Sequence, residues 1–347
     1  MRTRSTAGPA VRAAVPRRQW AACLAAVFTL SAVAAAWPQE SALDAGAQAL
    51  SAVVGIRAKV PETARTVSVL GTERAGSGVL IDGEGLVLTI GYLILEAAEV
   101  NIVTEGNRTV PAQVLAYDHD TGFGLVRALA PLGVKPMKLG RSASLKPMDK
   151  VLVSSYGGPA ATRAAVLVSR RDFAGWWEYL LEDALFTSPP HPMYGGAALI
   201  GSEGELLGIG SLMVGDASDD TPSVPGNMFV PIDELGPRMG ALLADGRSYE
   251  NARPWLGLYT QEALGHLIVS RVAADGPAER AGLEQGDLIV GVDGRPVATM
   301  AEFYRKVWSQ GEPGVTVRLD VLKDTTVVQI DIVSGDRYDW LHLDPAH

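Results

Sequence analysis

The residues best suited to chemistry lie in the stretch SPPHPMYGGAALIG, residues 188–201, where a hydroxyl precedes two glycines and a small apolar run. That hydroxyl belongs to Tyr194, and His191 stands three residues before it. Acyl transfer by a hydroxyl requires a base that takes its proton and a carboxylate that orients the base. A phenol is mostly un-ionised at neutral pH unless a base or a cation lies beside it. The stretch therefore predicts a poor nucleophile, with His191 either hydrogen-bonded nearby or facing solvent.

A second cluster of titratable groups is YDHDTG, in which His119 stands between Asp118 and Asp120. The composition predicts a turn, and polar side chains of loops usually face solvent, so we interpret His119 as a solvated loop residue. Three adjacent side chains rarely converge on one ion, so the sequence predicts no metal site, and it predicts no cofactor. Four serines near these stretches are the alternative nucleophiles: Ser154, Ser155, Ser188 and Ser202.

The first 36 residues differ from the rest of the chain. They contain five arginines and no acidic residue, and the apolar run WAACLAAVFTLSAVAAAW follows at residues 20–37. A basic flank, an apolar core and a small-residue end predict a secretory signal peptide that is cleaved after Ala36. The run is about long enough to cross a bilayer, so an uncleaved inner-membrane anchor is the alternative.

The net charge and the cysteine content limit the cellular compartments and the classes of binding partner that fit this chain. The chain has a net charge of −9, which becomes −14 without the five leader arginines. A strongly acidic protein lacks the basic footprint of nucleic-acid binding, so nucleic acid is excluded as a partner. The single cysteine, Cys23, lies inside the apolar run, so the remaining chain has no thiol for disulfide, metal or nucleophile chemistry. An exported protein without disulfides indicates a bacterial periplasm.

Short apolar runs separated by Gly, Pro, Asp and Asn recur from residue 51 to residue 231, which predicts an all-β sandwich or a pair of barrels. Helical spacing follows at residues 231–246. Four further strand signals then alternate with two helix signals, at 276–283 and 299–311. The domains predicted from this organisation are a leader (1–36), a linker (37–50), a β domain (51–246), a linker (247–253), an α+β domain (254–335) and a tail (336–347).

The stretches PWLGLYTQE and PAERAGLEQGDLIVGVDG resemble a bacterial PDZ domain of the HtrA/DegP kind. The resemblance implies a Φ-Gly-Φ loop whose N–H groups receive a peptide's C-terminal carboxylate, while the peptide adds as a strand. It also implies that Arg253 supports the carboxylate and that the helix starting near Met300 lines the groove. The predicted peptide-binding residues are Arg253, Trp255, Leu256, Gly257, Leu258, Met300, Phe303 and Val307. The alternative is a degenerate PDZ fold used only for packing.

Upstream, GSGVLIDGEGLVLTIGYLI, AYDHDTGFGLVRA, HPMYGGAALIG and NMFVPID are similar, in this order, to motifs of the trypsin-like domain of the same family. The resemblance implies a mostly β chain: a chymotrypsin/trypsin-like double β-barrel followed by one PDZ domain. The family's histidine falls on Tyr92, its aspartate on Gly122 and its serine on Tyr194. The glycine whose N–H helps to form the oxyanion hole falls on Pro192, which has no N–H.

These departures predict a catalytically inactive HtrA-like protein that binds C-terminal tails or unfolded segments through its PDZ domain, in the periplasm and in an oligomer of the HtrA type. The alternative is an active serine endopeptidase of protein quality control that uses a non-standard site. Tyr92 and Tyr194 either fill the former cleft by aromatic packing or line a groove that binds without cleaving. In GWWEYLLED, residues 175–183, strand spacing predicts that one tryptophan points inward and the other outward.

Overall fold

Six antiparallel strands close into a first barrel in the order β1-β2-β3-β6-β5-β4. We describe a computed structural model that covers residues 46, 48–248, 252–263, 265–323, 325–341 and 343. The predicted leader therefore lies outside the described residues. The strands of this barrel are β1 (Val53–Lys59), β2 (Glu73–Leu80), β3 (Leu86–Ile90), β4 (Glu99–Val103), β5 (Thr109–Tyr117) and β6 (Phe123–Ala128).

A second barrel closes in the order β10-β11-β12-β9-β8-β7. Its longest strands, β8 and β9, pair as a hairpin that reaches beyond the barrel. Its strands are β7 (Lys150–Ser154), β8 (Thr162–Gly175), β9 (Tyr179–Ser188), β10 (Ala198–Ile200), β11 (Leu206–Val214) and β12 (Gly226–Pro231).

The C-terminal unit is a six-stranded antiparallel sheet in the order β13-β14-β15-β17-β18, with β16 paired to β15. One nine-residue helix packs its apolar face on this sheet, and Thr299 caps it by accepting a hydrogen bond from the Glu302 N–H. The strands are β13 (Leu258–Ala263), β14 (His266–Val272), β15 (Leu288–Val292), β16 (Arg295–Pro296), β17 (Thr316–Lys323) and β18 (Thr326–Val333).

From residue 52 onward, the α-helical segments of the described residues are α1 (Val67–Leu70), α2 (Leu235–Asp245), α3 (Pro277–Arg280), α4 (Met300–Trp308) and α5 (Arg337–Trp340). The helix predicted over 231–246 begins with a 3-10 turn and ends at Gly246, which is left-handed (φ +74°) and donates its N–H to the Leu242 carbonyl. The helix predicted over 276–283 is a single turn. None of the helices in the described part of the chain is long and apolar enough to cross a bilayer.

The C-terminal segment predicted as a tail contains α5, which packs back on the first barrel. The Tyr338 hydroxyl donates to the Tyr117 carbonyl at 3.2 Å and accepts the His119 N–H at 2.9 Å. Leu341 is fully buried in a small cluster with Tyr117. The part of residues 336–347 that the structure describes is therefore a docked element rather than a free tail.

Candidate functional site

The three positions matched to a catalytic triad line one cavity of about 300 Å³. Tyr92 follows β3 and Gly122 precedes β6 in the first barrel, whereas Tyr194 precedes β10 in the second. Much of the remaining wall is aromatic: Tyr117, Trp176, Trp177, Tyr179 and Tyr259. The fold thus brings together the residues that the sequence comparison selected, in a cleft that aromatic rings line rather than an acid–base pair.

Tyr92 occupies a single 3-10 turn, Gly91–Leu93, directly after the buried strand β3. Its hydroxyl donates to the Ser211 carbonyl oxygen at 2.9 Å. A Cβ on Gly195 would lie 2.8 Å from that hydroxyl, so the phenol fills the space beside the Gly-Gly turn. Burial, and then the neighbouring Tyr194, raise the pKa of Tyr92 well above its usual range. Tyr92 therefore stays neutral near pH 7 and is not a base there.

Gly122 stands in a backbone conformation that disfavours a side chain. Its φ is +83°, in the left-handed region, and its N–H donates to the Asp118 carbonyl at 2.7 Å. A Cβ here would lie 3.7 Å from the hydroxyl of Tyr179, which itself donates to the Thr121 carbonyl at 2.7 Å. A side chain at the position matched to the orienting carboxylate would thus be strained and would face a tyrosine.

Backbone hydrogen bonds hold the Gly-Gly turn, residues 195 and 196, in place. The Gly195 carbonyl accepts from the Ser77 N–H at 2.8 Å, and the Gly196 N–H donates to the Gly210 carbonyl at 2.8 Å. The first of these bonds joins the two barrels. This turn therefore still presents residue 194 to the cavity, although the residue presented is a phenol.

His191 is buried and serves the loop rather than the cavity. Its Nδ1 accepts from the Met193 N–H at 3.1 Å, which leaves Nε2 to donate to the Ala161 carbonyl at 3.0 Å. Burial lowers the pKa of His191. Of the two readings that the sequence left open, the structure selects the hydrogen-bonded one. Because both ring nitrogens are engaged, His191 is not available as a base for Tyr194.

Three of the four alternative serines, all but Ser202, have hydroxyls that are hydrogen-bonded elsewhere. Ser154 Oγ pairs with Thr162 Oγ1 at 2.9 Å, Ser155 Oγ donates to Ala161 O at 3.4 Å, and Ser188 Oγ donates to Pro225 O at 2.9 Å. Within the part of the chain that the structure describes, no serine hydroxyl is hydrogen-bonded to a histidine. These serines therefore lack the nucleophile–base contact that serine catalysis uses.

His119 is not the solvated loop residue that the sequence predicted. Its Nε2 lies 2.9 Å from Arg337 Nη1 and its Nδ1 lies 3.3 Å from the Tyr117 hydroxyl. Burial, followed by the charges of Arg337 and Arg253, lowers the pKa of His119 well below its usual range. The local sequence does not reveal this environment, because the helix that covers the turn, α5, lies more than 200 residues further along the chain. Across the described residues no group of three His, Cys, Asp or Glu side chains is placed to hold a metal ion.

The predicted carboxylate-binding loop of the C-terminal unit already holds a carboxylate. The Leu256 N–H donates to Glu178 Oε2 at 3.0 Å, and the Leu258 N–H donates to Glu178 Oε1 at 2.7 Å. Between them, Gly257 is left-handed (φ +79°), and a Cβ there would lie 3.2 Å from Ala273 Cβ. Glu178 stands at the tip of the β8–β9 hairpin, so its carboxylate comes from the second barrel.

The cation beside this carboxylate is Arg337 rather than the predicted Arg253. Arg253 is directed to Asp120, at 3.4 Å, and stacks over the Trp308 ring at 4.1 Å from its centroid. The charge of Arg337 acts on Glu178, and Arg337 also donates to the Trp177 carbonyl at 2.8 Å. Neighbouring sequence suggested Arg253, whereas the docking of α5 brings in Arg337.

The predicted groove residues of α4 lie under the sheet rather than open to solvent. Phe303 and Val307 are buried in the core of the C-terminal unit, with Leu256 and Leu258, while Met300 is half-buried at its edge. Trp255 is also buried and packs on Trp340, with ring centroids 4.9 Å apart. These residues shape the groove, and the hairpin tip covers it.

Sequence reasoning missed Glu178 and Arg337 as groups of this site. The only sequence feature that pointed to Glu178 was its place in GWWEYLLED, directly after two tryptophans. Trp176 is 39% exposed, and Trp177 is half-buried and stacks on Tyr179 at 5.3 Å between ring centroids. Both rings line the cavity between the barrels and lie in the turn between β8 and β9, so the predicted inward–outward alternation of this pair is not observed.

Comparison with known families matches the two halves of the chain separately. Residues 76–209 match the trypsin-like peptidase domain, and residues 251–333 match the PDZ domain. The serine endoprotease DegS of Escherichia coli K12 is 27% identical over 273 residues, covering 74% of this chain and 75% of its own. The "Probable periplasmic serine endoprotease DegP-like" of Ectopseudomonas mendocina is 25% identical over 280 residues, covering 75% of this chain and only 56% of its own.

Among solved structures, the HtrA-type protease AlgW with tripeptide superposes with a TM-score of 0.51 and 21% identity, over 85% of this chain and 97% of that chain. AlgW with decapeptide gives the same TM-score and identity. At this identity the likeness establishes the fold alone. The mostly β architecture, a trypsin-like double barrel followed by a PDZ domain, is thus confirmed.

Proposed function

We propose that this chain, which belongs to the HtrA/DegP-like family of trypsin-like peptidase domains with a C-terminal PDZ domain, binds polypeptides without cleaving them. The observation that carries the proposal is the identity of the three residues that line the cavity between the barrels. Tyr92, Gly122 and Tyr194 stand where the family motifs have a base, an orienting carboxylate and a nucleophile.

The chemistry of these residues supports an inactive site. Loss of a nucleophile–base unit costs on the order of a millionfold in rate. Pro192 removes an oxyanion-hole donor, which costs on the order of a hundredfold more. Neither His119 nor His191 replaces the base, since the ring nitrogens of both are held by other groups.

The proposed activity is recognition of C-terminal tails or unfolded segments through the PDZ domain, in the periplasm, as a regulator or scaffold. The leader sequence and the thiol-free remainder support export. The PDZ match and a carboxylate-binding loop of the expected sequence support peptide recognition. Assembly into an oligomer of the HtrA type, with itself or with an active relative, is part of the same proposal.

The test is hydrolysis of a fluorogenic unfolded protein by the purified chain, with a serine-reactive phosphonate probe in parallel. We expect neither turnover nor labelling. The Tyr194→Phe variant is the matched control, because turnover by a contaminating protease is the same in both preparations. Turnover that the phosphonate blocks, with the probe bound covalently to this chain, would overturn the proposal; loss of that turnover in Tyr194→Phe would assign it to Tyr194, and its persistence would favour a non-standard serine endopeptidase.

A further inference from the structure

The tip of the β8–β9 hairpin lies on the PDZ domain as a peptide ligand would. In PDZ recognition an extended peptide pairs with the edge of the sheet while backbone N–H groups capture its terminal carboxylate. Here the Thr260 N–H of β13 donates to the Trp176 carbonyl at 3.0 Å. Two residues further along the hairpin, Glu178 places its carboxylate on the N–H groups of Leu256 and Leu258. One backbone hydrogen bond to the edge strand β13 and the carboxylate capture thus occur in one continuous segment.

Contacts from helix α4 complete this arrangement on the opposite side of the segment. The Tyr304 hydroxyl of α4 donates to the Gly175 carbonyl at 2.7 Å. Leu180, two residues after Glu178, is buried in the apolar core of the PDZ domain with Leu258 and Phe303. The hairpin therefore supplies both a carboxylate and an apolar side chain, the two features of a C-terminal residue that such a groove recognises.

Burial of an unpaired carboxylate is costly, so the contacts of Glu178 need a reason. Glu178 is 3% exposed, and its φ of +55° is unusual for a residue other than glycine. Burial raises the pKa of Glu178 to about 7. The groups that act in the opposite direction and lower this pKa are the N–H groups of the loop, at Leu256, Gly257 and Leu258, and the charge of Arg337. A residue that served only to connect two strands would not need a buried charge at this point.

We propose that Glu178 is an internal ligand that closes the carboxylate-binding loop of the PDZ domain to other chains. When the hairpin tip leaves, the loop takes a polypeptide with a free C-terminal carboxylate and an apolar last side chain, which pairs with β13 in place of Trp176. The inference rests on the proposed binding function and concerns how that binding is regulated. The barrel domain of the same chain occupies the groove and thereby excludes other polypeptides.

The experiment compares the intact protein with its Glu178→Ala and Glu178→Gln variants. Each protein is immobilised and exposed to an equimolar pool of octapeptides that end in Leu, Val, Ile or Phe with a free carboxylate. A second pool, identical but C-terminally amidated, reports binding that does not need the carboxylate. Retained peptides are quantified by mass spectrometry, and circular dichroism verifies the fold of each protein. The Glu178→Gln variant keeps the side-chain shape, so it stands in if the alanine variant fails to fold.

The Glu182→Ala variant is the matched control, because Glu182 is an exposed carboxylate of the same hairpin that contacts Arg305 of α4, at 3.5 Å, and not the carboxylate-binding loop. We expect the Glu178 variants to retain the free-carboxylate pool at least tenfold more than the wild type and the Glu182→Ala variant do, and the amidated pool no more. Equal retention by wild type and variants would overturn the closure and leave the proposed binding function standing. Retention by none of the folded proteins would overturn both the closure and PDZ-mediated binding, whereas turnover of the fluorogenic substrate would overturn only the inactive site.

Discussion

The barrel cleft and the PDZ groove are two sites of the family type, and they differ in which of their groups the chain itself has engaged. In the cleft, Tyr92 and Tyr194 stand at positions matched to reactive groups of the family motifs, and their phenols line a cavity of about 300 Å³. In the groove the recognition groups are intact, and Glu178 uses them. From this difference we expect the two sites to respond differently to mutation: substitution of Glu178 should open the groove, whereas restoring the triad residue types should leave the cleft inactive.

The two sites also share the segment between β8 and β9. Trp176, Trp177 and Tyr179 line the cavity beside Tyr92 and Tyr194, while Glu178 and Leu180 point into the PDZ domain. Trp176, Trp177 and Glu178 lie in the turn between β8 and β9, so this one hairpin tip contacts both sites. Hydrolysis by cleft variants tests whether the cleft is catalytically inactive. The pH dependence of the unfolding free energy tests whether burial of the Glu178 carboxylate in the groove is destabilising.

The largest expected effect concerns the cleft. The triple variant Tyr92→His, Gly122→Asp, Tyr194→Ser puts the triad residue types back, yet we expect hydrolysis of a fluorogenic unfolded protein to stay at least on the order of a hundredfold below that of an active relative, because Pro192 still lacks the oxyanion donor. The left-handed backbone at Gly122, facing Tyr179, also misplaces the new carboxylate. Rates are measured against DegS on the same substrate, and a variant that matched it would show that the frame had remained catalytically competent.

The second prediction concerns the pH dependence of stability. Glu178 has a pKa of about 7 in the folded protein against 4.5 for an ordinary glutamate, so its favourable contribution is complete below pH 4.5 and is lost as the pH rises through 7. At about 1.4 kcal/mol per pKa unit, the wild type loses roughly 2–3 kcal/mol of unfolding free energy from this group between pH 4.5 and 8. The Glu178→Gln variant lacks this slope.

Urea unfolding of the wild type and the variant at intervals from pH 5 to 8 measures the difference. Asp120, whose pKa burial raises to about 6, titrates in both proteins and cancels in the comparison. Burial raises the pKa of Tyr304, which faces Glu178, further above its usual range, so Tyr304 does not titrate between pH 5 and 8. Parallel curves would mean that Glu178 does not carry a buried charge.

The smallest expected effect is the loss of one hydrogen bond in the cleft. Tyr92→Phe removes the donor to the Ser211 carbonyl and is expected to cost about 1 kcal/mol of unfolding free energy, with no change in turnover. Tyr194→Phe is the control within the same cavity and is expected to cost less. Chemical denaturation measures both, and a larger loss for Tyr194→Phe would place the stabilising contact on the other ring.

Prediction from sequence succeeded where short motifs follow one another in the order that the family has. The barrel strands, α4 and the loop Trp255–Leu258 each follow from short motifs, and the order of those motifs brought Tyr92, Gly122 and Tyr194 to one cavity. It failed where a partner came from far along the chain. His119 was predicted in solvent because nothing near it reveals α5, and Arg253 was chosen over Arg337 because it is the loop's neighbour.

The sequence by itself determined which groups are present: a phenol where a nucleophile would stand, a proline without an N–H, and a Φ-Gly-Φ loop able to receive a carboxylate. Only the tertiary structure decided what that loop receives. Glu178 and Leu256 are separated by 78 residues, and hydrogen bonds at such separation depend on how two folded units pack rather than on any local pattern. Propensity and motif spacing act over a few residues, whereas docking places a distant carboxylate within 3 Å of its donors.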